Sequence, residues 1–393
     1  MKYSVNDVME YVKEEDVKFI RLAFLGIDGR MKNASIMPSE LKRAFSEGIA
    51  FDGSAIEGFE KAERSDLFLF PDPDTLTLLP WRPMHGKVIR LFCDVRYPDG
   101  RAYELDARSI LKAAVKKAEQ MKIKCNFGTE FEFYLFKIDE NGNETNEPCD
   151  NAGYMDVFPA DKGENIRREI CLTIEEMGLS PECSHHEEGP GQNEIDFKYA
   201  DTLSSADHAV IFKNATEAIA YKNGMVASFM PKPIKGKSGS GLHVNVSVES
   251  DKDVFEPFAA GVLNRIKDMT FFLNPTENSY DRLGEMKAPS TVSWANENRT
   301  TLIRMPATNG QKRFELRSPD GMTNVYLSYA LIIYAGLEGV ENALKLPDET
   351  NKNAADDKAA DKLPLTLSEA KKVAFSSEFI KKCLPEKLIR SIK

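Results

Sequence analysis

The sequence predicts an α+β fold in which a curved, mostly antiparallel sheet is backed by helices. Four segments alternate polar and apolar residues with the period of a β-strand, and their polar faces carry Glu, Asp, Asn, His and Arg. A sheet face that is merely exposed to solvent carries mostly Thr, Ser and Lys, so these faces are expected to line a polar concave site. Segments with a helical period lie between and after the strands and are expected to cover the apolar side. The strands are 127–136, 194–199, 241–249 and 313–317, and the helices are 164–177, 204–223, 256–272 and 324–345.

The first hundred residues have their own pattern of short elements. A helix is predicted at 7–15, a strand at 18–25, a helix at 39–48 and a strand at 87–95. Asp106 is a plausible N-cap for a helix that ends at residue 121. The turn before that helix divides the chain into a small domain, 1–104, and a larger one, 105–393.

The C-terminal part of the larger domain changes in composition. Residues 346–362 are polar and rich in Ala, Asp and Lys, so we expect them to be mobile. Residues 367–393 are expected to form one or two short helices.

Composition excludes several classes of protein. The 393 residues include 62 acidic and 52 basic side chains, giving a formal net charge of −10, whereas a general nucleic-acid or membrane-surface binder needs a basic patch. The six cysteines show no CxxC spacing, which indicates a reducing compartment. The N-terminus lacks the apolar run of a signal peptide, and no apolar stretch is long enough to span a bilayer. The expected location is the cytoplasm.

Carboxylates on the predicted strands indicate a site for divalent cations. Glu130 and Glu132 leave the same strand face about 7 Å apart, a spacing at which two neighbouring cations can each bind one carboxylate. A single such carboxylate more often forms a surface salt bridge, but five on inward-facing strands and a glycine-rich turn would repel one another without cations. We therefore expect two or more Mg²⁺ or Mn²⁺ ions, because no Cys/His spacing typical of zinc is present. The remaining candidate ligands are Glu187, Glu194, His243 and Glu315.

A cluster of arginines indicates an anionic ligand beside these cations. Five arginines lie within 36 residues of one another, and a nucleoside triphosphate together with a carboxylate substrate would explain them. Ordinary ion pairs with the excess acids are the alternative. The segment 235–241, KGKSGSG, is not a phosphate loop, because Pro231 stands where such a loop needs glycine. The five are Arg282, Arg299, Arg304, Arg313 and Arg317.

Seven motifs, in order and spacing, resemble the signature segments of type I glutamine synthetase, and the resemblance runs from about residue 19 to residue 345. They are FDGSAIEGF (51–59), GTEFEFYLF (128–136), SHHEEGPGQNEIDFKYAD (184–201), MPKPIKGKSGSGLHVNVS (230–247), NPTENSYDRL (274–283), NENRTTLIRMPA (296–307) and RFELRSPDG (313–321). The resemblance implies a β-grasp-like N-terminal domain and a catalytic domain that forms a partial barrel. It also implies a homo-oligomer, a ring of six subunits usually stacked in pairs, with each active site shared by neighbours.

The resemblance also implies roles for individual residues. Glu132, Glu187 and Glu194 match the ligands of one metal ion, and Glu130, His243 and Glu315 match those of the other. Gly239, His243, Arg282 and Arg317 match the contacts of L-glutamate, and Glu182, Ser247, Arg304 and Arg313 match positions near ATP. Asp52 of an adjacent subunit, Asp66, Tyr154 and Glu187 match the ammonium pocket, and Arg299 matches the arginine that steadies the transferred phosphoryl group.

The implied activity is ATP-dependent formation of glutamine from L-glutamate and ammonium, with Mg²⁺ or Mn²⁺. ATP is the co-substrate that converts the side-chain carboxylate, a poor electrophile, into γ-glutamyl phosphate. Asp52 then takes a proton from ammonium, and the amine displaces phosphate.

Departures from the family pattern leave two alternatives open. The segment that closes over glutamate in the family usually carries a glutamate just before Ala-Pro, but here it is one residue shorter and has Lys287 at that place, with Glu285 as a possible substitute. Together with Ala55 in the first motif, this change suggests a γ-glutamyl ligase for a small organic amine or polyamine. A non-catalytic member of the family is the other alternative. The chain also stops at Lys393, before the family's usual C-terminal tail, so a single hexamer is as plausible as a dodecamer.

Overall fold

The computed structural model describes residues 3–81, 86–308 and 310–392. Its strands are β1 Val17–Leu25, β2 Met31–Ile36, β3 Ile49–Asp52, β4 Asp66–Pro71, β5 Thr77–Leu78, β6 Lys87–Arg96, β7 Lys124–Ile138, β8 Glu144–Pro148, β9 Pro181–His186, β10 Gln192–Asp201, β11 Met225–Ser228, β12 Leu242–Glu249, β13 Trp294–Asn296, β14 Ile303–Met305 and β15 Phe314–Leu316. Its α-helices are α1 Val5–Glu14, α2 Leu41–Glu47, α3 Ala107–Gln120, α4 Glu164–Glu176, α5 Thr202–Lys222, α6 Phe255–Leu273, α7 Glu277–Arg282, α8 Val325–Glu341, α9 Leu367–Ser376, α10 Glu378–Cys383 and α11 Glu386–Ser391.

The N-terminal strands form a six-stranded sheet in the order β2-β1-β6-β4-β3, and β5 pairs with β6. β1 and β6 are parallel, whereas the other pairings are antiparallel. Ile20, Leu22, Leu67 and Leu91 have no exposed surface and belong to its core. β3 lies at one edge of this sheet, and its residues are alternately half-buried and exposed.

The remaining strands form a nine-stranded sheet in the order β13-β14-β15-β12-β7-β10-β9. β8 and β11 pair with the far half of β7, and only β13 and β14 run parallel. Phe131 and Phe133 of β7 point to the apolar face, where they pack against Phe212 of α5. The predicted α+β class, with a mostly antiparallel sheet backed by helices, is confirmed.

Helix starts follow the capping residues of the sequence. The side chain of Asp106 accepts a hydrogen bond from the backbone N–H of Arg108, as predicted for the start of α3.

α8 packs against α6 at a close crossing, since a Cβ atom at Gly261 would lie 2.2 Å from the carbonyl oxygen of Ala335. Larger residues at this crossing would push the helix pair apart.

A buried ion-pair network joins the N-terminal domain to the larger domain that follows it. Arg108 is 4% exposed, and its guanidinium contacts Asp72 and Asp94 of the N-terminal domain and Asp207 of α5. Removing one partner of such a network would leave a buried charge unpaired, so the network fixes how the domains meet. We propose that the boundary lies between residues 104 and 105, just before α3.

The expectation that residues 346–362 are mobile is wrong for this structure. The indole Nε1–H of Trp294 donates to the carbonyl oxygen of Pro347 (2.7 Å), and the Asn298 amide donates to the carbonyl oxygen of Lys352 (2.9 Å). Thr291 forms a β-bridge with Lys362. The polar composition of residues 346–362 indicates that the segment is exposed, but backbone groups of the segment are bonded to residues 291–298. None of the described helices is long and apolar enough to cross a membrane.

Candidate active site

Strand register places the polar side chains in rows across the nine-stranded sheet. Glu130 of β7 is opposite His243 of β12 on one side and Asp196 of β10 on the other. Glu132, two positions along β7, is opposite Glu194 of β10. Because residues two positions apart share a face, both rows open on the same concave surface.

The first row holds a cluster around the imidazole of His243. Its Nδ1 atom lies 3.3 Å from Oε2 of Glu130 and 3.4 Å from Oε1 of Glu315. Glu315 has no exposed surface, and its two oxygens also contact the guanidinium groups of Arg304 and Arg317. One ligand atom from each of Glu130, His243 and Glu315 lies within 4.8 Å of the others, a spacing that can hold a metal ion.

The second row extends to the loop after β9. The side-chain oxygens of Glu187 and Glu194 lie 3.9 and 3.7 Å from the ring nitrogens of His185. Oε2 of Glu132 accepts a hydrogen bond of 2.9 Å from the backbone N–H of Gly241, which fixes this carboxylate at the side of the row. The rows therefore offer two neighbouring groups of possible ligands. In the second group, ligand atoms of His185, Glu187 and Glu194 lie within 4.8 Å of one another, whereas Glu132, expected beside Glu187 and Glu194, is not part of that group.

The electrostatics of these rows fit a divalent cation. Burial and the neighbouring charge of Glu132 raise the pKa of Glu194 well above its usual value, and burial raises the pKa of Glu187. Burial, with the charge of Glu130, raises the pKa of Asp196 to about 7. Burial lowers the pKa of His243 to about 4, so its imidazole is neutral at pH 7 and can bind a metal. Crowded carboxylates with raised pKa values beside a neutral imidazole are stabilised when a cation binds among them.

The rows form the floor of a cavity of about 400 Å³. Gly239 lies at its edge, where an added Cβ would be 2.5 Å from the carbonyl oxygen of Pro231, so only glycine fits. Arg282 is buried, and its guanidinium donates to the carbonyl oxygens of Arg317 and Ser318. The predicted residues that line this cavity are Glu130, Glu132, Tyr154, Glu187, Glu194, Gly239, His243, Arg282, Arg299, Arg304 and Arg317.

A second cavity of about 290 Å³ adjoins the first, and Glu130 and Asp196 line both. Three residues that were expected to lie near ATP, Glu182, Ser247 and Arg313, line the second cavity. The predicted nucleotide residues therefore lie on the far side of Glu130 from the glutamate residues, except Arg304, which lines the first cavity.

The two predicted acids of the N-terminal domain lie outside both cavities of this chain. Asp52 and Asp66 are exposed and directly opposite each other on β3 and β4. Two hydrogen bonds from Ser54 lower the pKa of Asp52. Tyr154 lines the first cavity, and its ring contacts the imidazole of His185 edge to face.

Three residues that line the first cavity were not among the predicted site residues. Gln192, 1% exposed, accepts from the backbone N–H of Gly189 (2.9 Å) and donates to Glu132 (3.3 Å) and to the Gly239 carbonyl (3.1 Å), so it links Glu132 to the loops that carry Gly189 and Gly239. His185 stands between Glu187 and Glu194, and Asp196 between the cavities. Strand alternation placed Asp196 on the face of Glu194, but nothing in the sequence gives its register.

Near the cavity mouth, the turn 284–288 carries the departures noted above. Lys287 forms an ion pair of 2.5 Å with Glu188. The carboxylate of Glu285 is half-exposed and lies 3.8 Å from Nζ of Lys232. Glu285 therefore lines the cavity with its carboxylate near the positive charge of Lys232.

Family models cover nearly the whole chain. The model described as glutamine synthetase, β-grasp domain matches residues 16–98, and that described as glutamine synthetase, catalytic domain matches residues 104–393.

Individual relatives agree with these matches. The glutamine synthetase of Clostridium saccharobutylicum is 45% identical over 98% of this chain and 92% of its own length. That of Methanosarcina mazei is 44% identical over 97% of this chain and 90% of its own length. A solved structure described as a GmaS/ADP complex superposes with a TM-score of 0.90 at 27% identity, covering 98% of this chain and 94% of the other.

Proposed function

This chain belongs to the glutamine synthetase family, and we propose that its first cavity forms glutamine from L-glutamate and ammonium at the expense of ATP. The observation that carries the proposal is the convergence of six predicted ligands and four arginines on one concave surface. Relatives at 42–45% identity share the name glutamine synthetase, so the small-amine alternative is not favoured.

We assign two or more Mg²⁺ or Mn²⁺ ions to the two ligand groups of the site. Glu130, His243 and Glu315 would hold one ion, and Glu132, Glu187 and Glu194 would hold the other. When bound, such ions supply positive charge beside the phosphates. Their support here is the donor set: buried oxygens with raised pKa values and a neutral imidazole.

The other predicted residues bind the two substrates and contact the transferred phosphoryl group in this proposal. Gly239, His243, Arg282 and Arg317 bind L-glutamate in this proposal, and the second cavity, with Glu182, Ser247 and Arg313, binds the nucleotide while Arg304 reaches its phosphates. Arg299 lines the first cavity with an exposed side chain, where it can approach the phosphoryl group as it passes to the γ-carboxylate. Its fixed charge stabilises the oxygens that carry developing negative charge. A GmaS structure with ADP shares this fold, which supports a nucleotide site.

We propose that a second copy of the chain completes the ammonium pocket. Asp52 and Asp66 are exposed on the edge of the N-terminal sheet, and Tyr154 and Glu187 line the cavity of the catalytic domain. Tyr154, which lines that cavity, and its chain neighbours Met155, Val157 and Phe158 are each more than half exposed, as expected of a subunit contact. A hexamer and a dodecamer both allow this arrangement. All six cysteines are free, which supports the cytoplasm as the location.

Asp52→Ala is expected to slow amide formation by about 10²- to 10⁴-fold, the usual contribution of a general base. Formation of γ-glutamyl phosphate should be spared, because Asp52 takes its proton from ammonium in the later step. Rapid-quench assays with radiolabelled ATP would measure the two steps separately. Asp99→Ala, which removes an exposed acid of the same domain, is the control. Equal loss of both steps would rule out Asp52 as the base.

An assay of phosphate and glutamine across several amines tests the function itself. With ATP, glutamate and either Mg²⁺ or Mn²⁺, phosphate release should rise on addition of ammonium, with one glutamine formed per phosphate. A rise with ethanolamine or a polyamine, but not with ammonium, would establish the small-amine ligase instead. No release with any amine would indicate a non-catalytic member of the family.

A further inference from the structure

The C-terminal helix α11 contacts the loop 53–60, which follows Asp52 at the end of β3. Lys387 of α11 donates a hydrogen bond to the carboxylate of Glu60, the last residue of that loop, although 327 positions separate the two residues. Leu388, the next residue of the helix, has no exposed surface and belongs to the hydrophobic core. The helix is therefore anchored in the core, and Lys387 is held at the end of the loop.

The ammonium group of Lys387 lies among two tyrosine rings and two carboxylates. Its Nζ atom is 5.3 Å from the ring centroid of Tyr97 and 4.9 Å from that of Tyr103. It also donates to the hydroxyl of Tyr97 (2.8 Å), and this hydroxyl donates to Glu104 (2.5 Å). The side chains of Lys387 and Glu60 are 35% and 17% exposed. Since ring faces attract a cation most strongly when water is partly excluded, this lysine is held more firmly than one in a surface ion pair.

Glu60 is tied in turn to the backbone beside Asp52. Its N–H donates to the carbonyl oxygen of Gly53 (3.4 Å), which also accepts from the N–H of Ile56 (3.2 Å). The N–H of Gly53 donates to the carbonyl oxygen of Ser65 (2.8 Å). The loop is thus closed on Gly53, the residue directly after Asp52, and a shift of Glu60 would be passed to that point.

The carboxylate of Asp52 depends on the same loop for its position. Asp52 is exposed at the edge of the N-terminal sheet, where the packing of a core contributes little to its position. Its Oδ1 atom accepts hydrogen bonds from the backbone N–H (2.9 Å) and the hydroxyl (2.7 Å) of Ser54, which belongs to the loop. A displacement of about 1 Å at a catalytic group can lower a rate by about 100-fold.

We propose that Lys387 is a positioning residue for Asp52. Through Glu60 it fixes the loop 53–60, and the loop fixes the carboxylate that takes a proton from ammonium. The proposal rests on the proposed function, in which Asp52 serves the site of a neighbouring copy of the chain. Lys387 lines neither of the two cavities of the catalytic domain, so its effect on the reaction is exerted through the loop.

Lys387→Met tests this proposal by separating the two steps of the reaction. We expect amide formation to slow by about 5- to 100-fold and the KM for ammonium to rise, whereas γ-glutamyl phosphate forms within about two-fold of the wild-type rate. Rapid-quench assays with radiolabelled ATP measure both steps. Lys387→Arg should recover part of the loss, because it keeps the cation between the rings. Arg390→Met, which removes an exposed ion pair with Glu386 in the same helix, is the matched control.

A second variant tests whether Lys387 acts through Glu60. Glu60→Gln should slow amide formation in the same selective way. The double variant with Lys387→Met should be no slower than the more affected single variant, because both changes remove one contact. A general loss of structure would instead slow both steps together and lower the midpoint of thermal unfolding.

Equal slowing of the two steps in Lys387→Met, unchanged amide formation, or additive effects of the two substitutions would overturn the proposal. Failure of the proposed function is a different result, since wild-type protein would then form no glutamine at all.

Discussion

Arg299→Ala is expected to lower kcat for glutamine formation by about 10³- to 10⁵-fold, the contribution of an arginine that stabilises phosphoryl transfer. The guanidinium groups of Arg304 and Arg317 are bound to Glu315, whereas Arg299, within the described residues, takes part in no ion pair. It is therefore the arginine of this cavity that is free to meet developing charge on the phosphoryl oxygens. The KM for ATP should change much less than kcat, because the contact strengthens in the transition state.

Arg299→Lys separates charge from geometry. A lysine keeps the positive charge but not the planar fork of donors, so partial recovery relative to alanine is expected. Arg168→Ala, in helix α4, is the control for loss of an arginine outside the cavity. A kcat within ten-fold of wild type in Arg299→Ala would remove Arg299 from the mechanism.

Glu315→Gln is expected to abolish activity and also to destabilise the fold. Glu315 is fully buried between Arg304 and Arg317, so removing its charge leaves two guanidinium groups without their partner. Breaking a buried ion pair in this way costs about 3–5 kcal/mol. Activity should fall by more than about 100-fold, since loss of an outer contact to a metal site already costs 10- to 100-fold.

Chemical denaturation and activity measured on the folded fraction separate the two effects. Glu256→Gln, an exposed acid in the first turn of α6, is the control and should change neither quantity appreciably. A folded Glu315→Gln protein with wild-type activity would argue against the cation site.

Much of the catalytic sheet was predictable because strand alternation is a strong local signal. Alternation placed Glu130 with Glu132, and Glu194 with Asp196, on single faces, and Asp106 marked the start of α3. The family motifs supplied what alternation cannot, namely which residues of separate strands belong to one ligand or substrate set.

The positions that were missed depend on register and on long-range contacts. Gln192 follows a turn and shows no periodicity of its own, yet it is buried because three segments meet at its amide. Arg108 looks like an ordinary helix residue, but its partner Asp207 is 99 positions away. Residues 346–362 were wrongly expected to be mobile, since composition does not report the backbone hydrogen bonds that hold them.

A titration of metal-free protein with Mn²⁺, followed by electron paramagnetic resonance at pH 6 and pH 8, tests the cation site most directly. We expect at least two Mn²⁺ ions per chain, bound more tightly at pH 8, because a cation must displace protons from ligand carboxylates such as Glu194, whose pKa is raised well above its usual value by burial and the charge of Glu132. Glu315→Gln should lose one of these ions. Stoichiometry below one ion per chain, or binding that neither pH nor Glu315→Gln alters, would contradict the account.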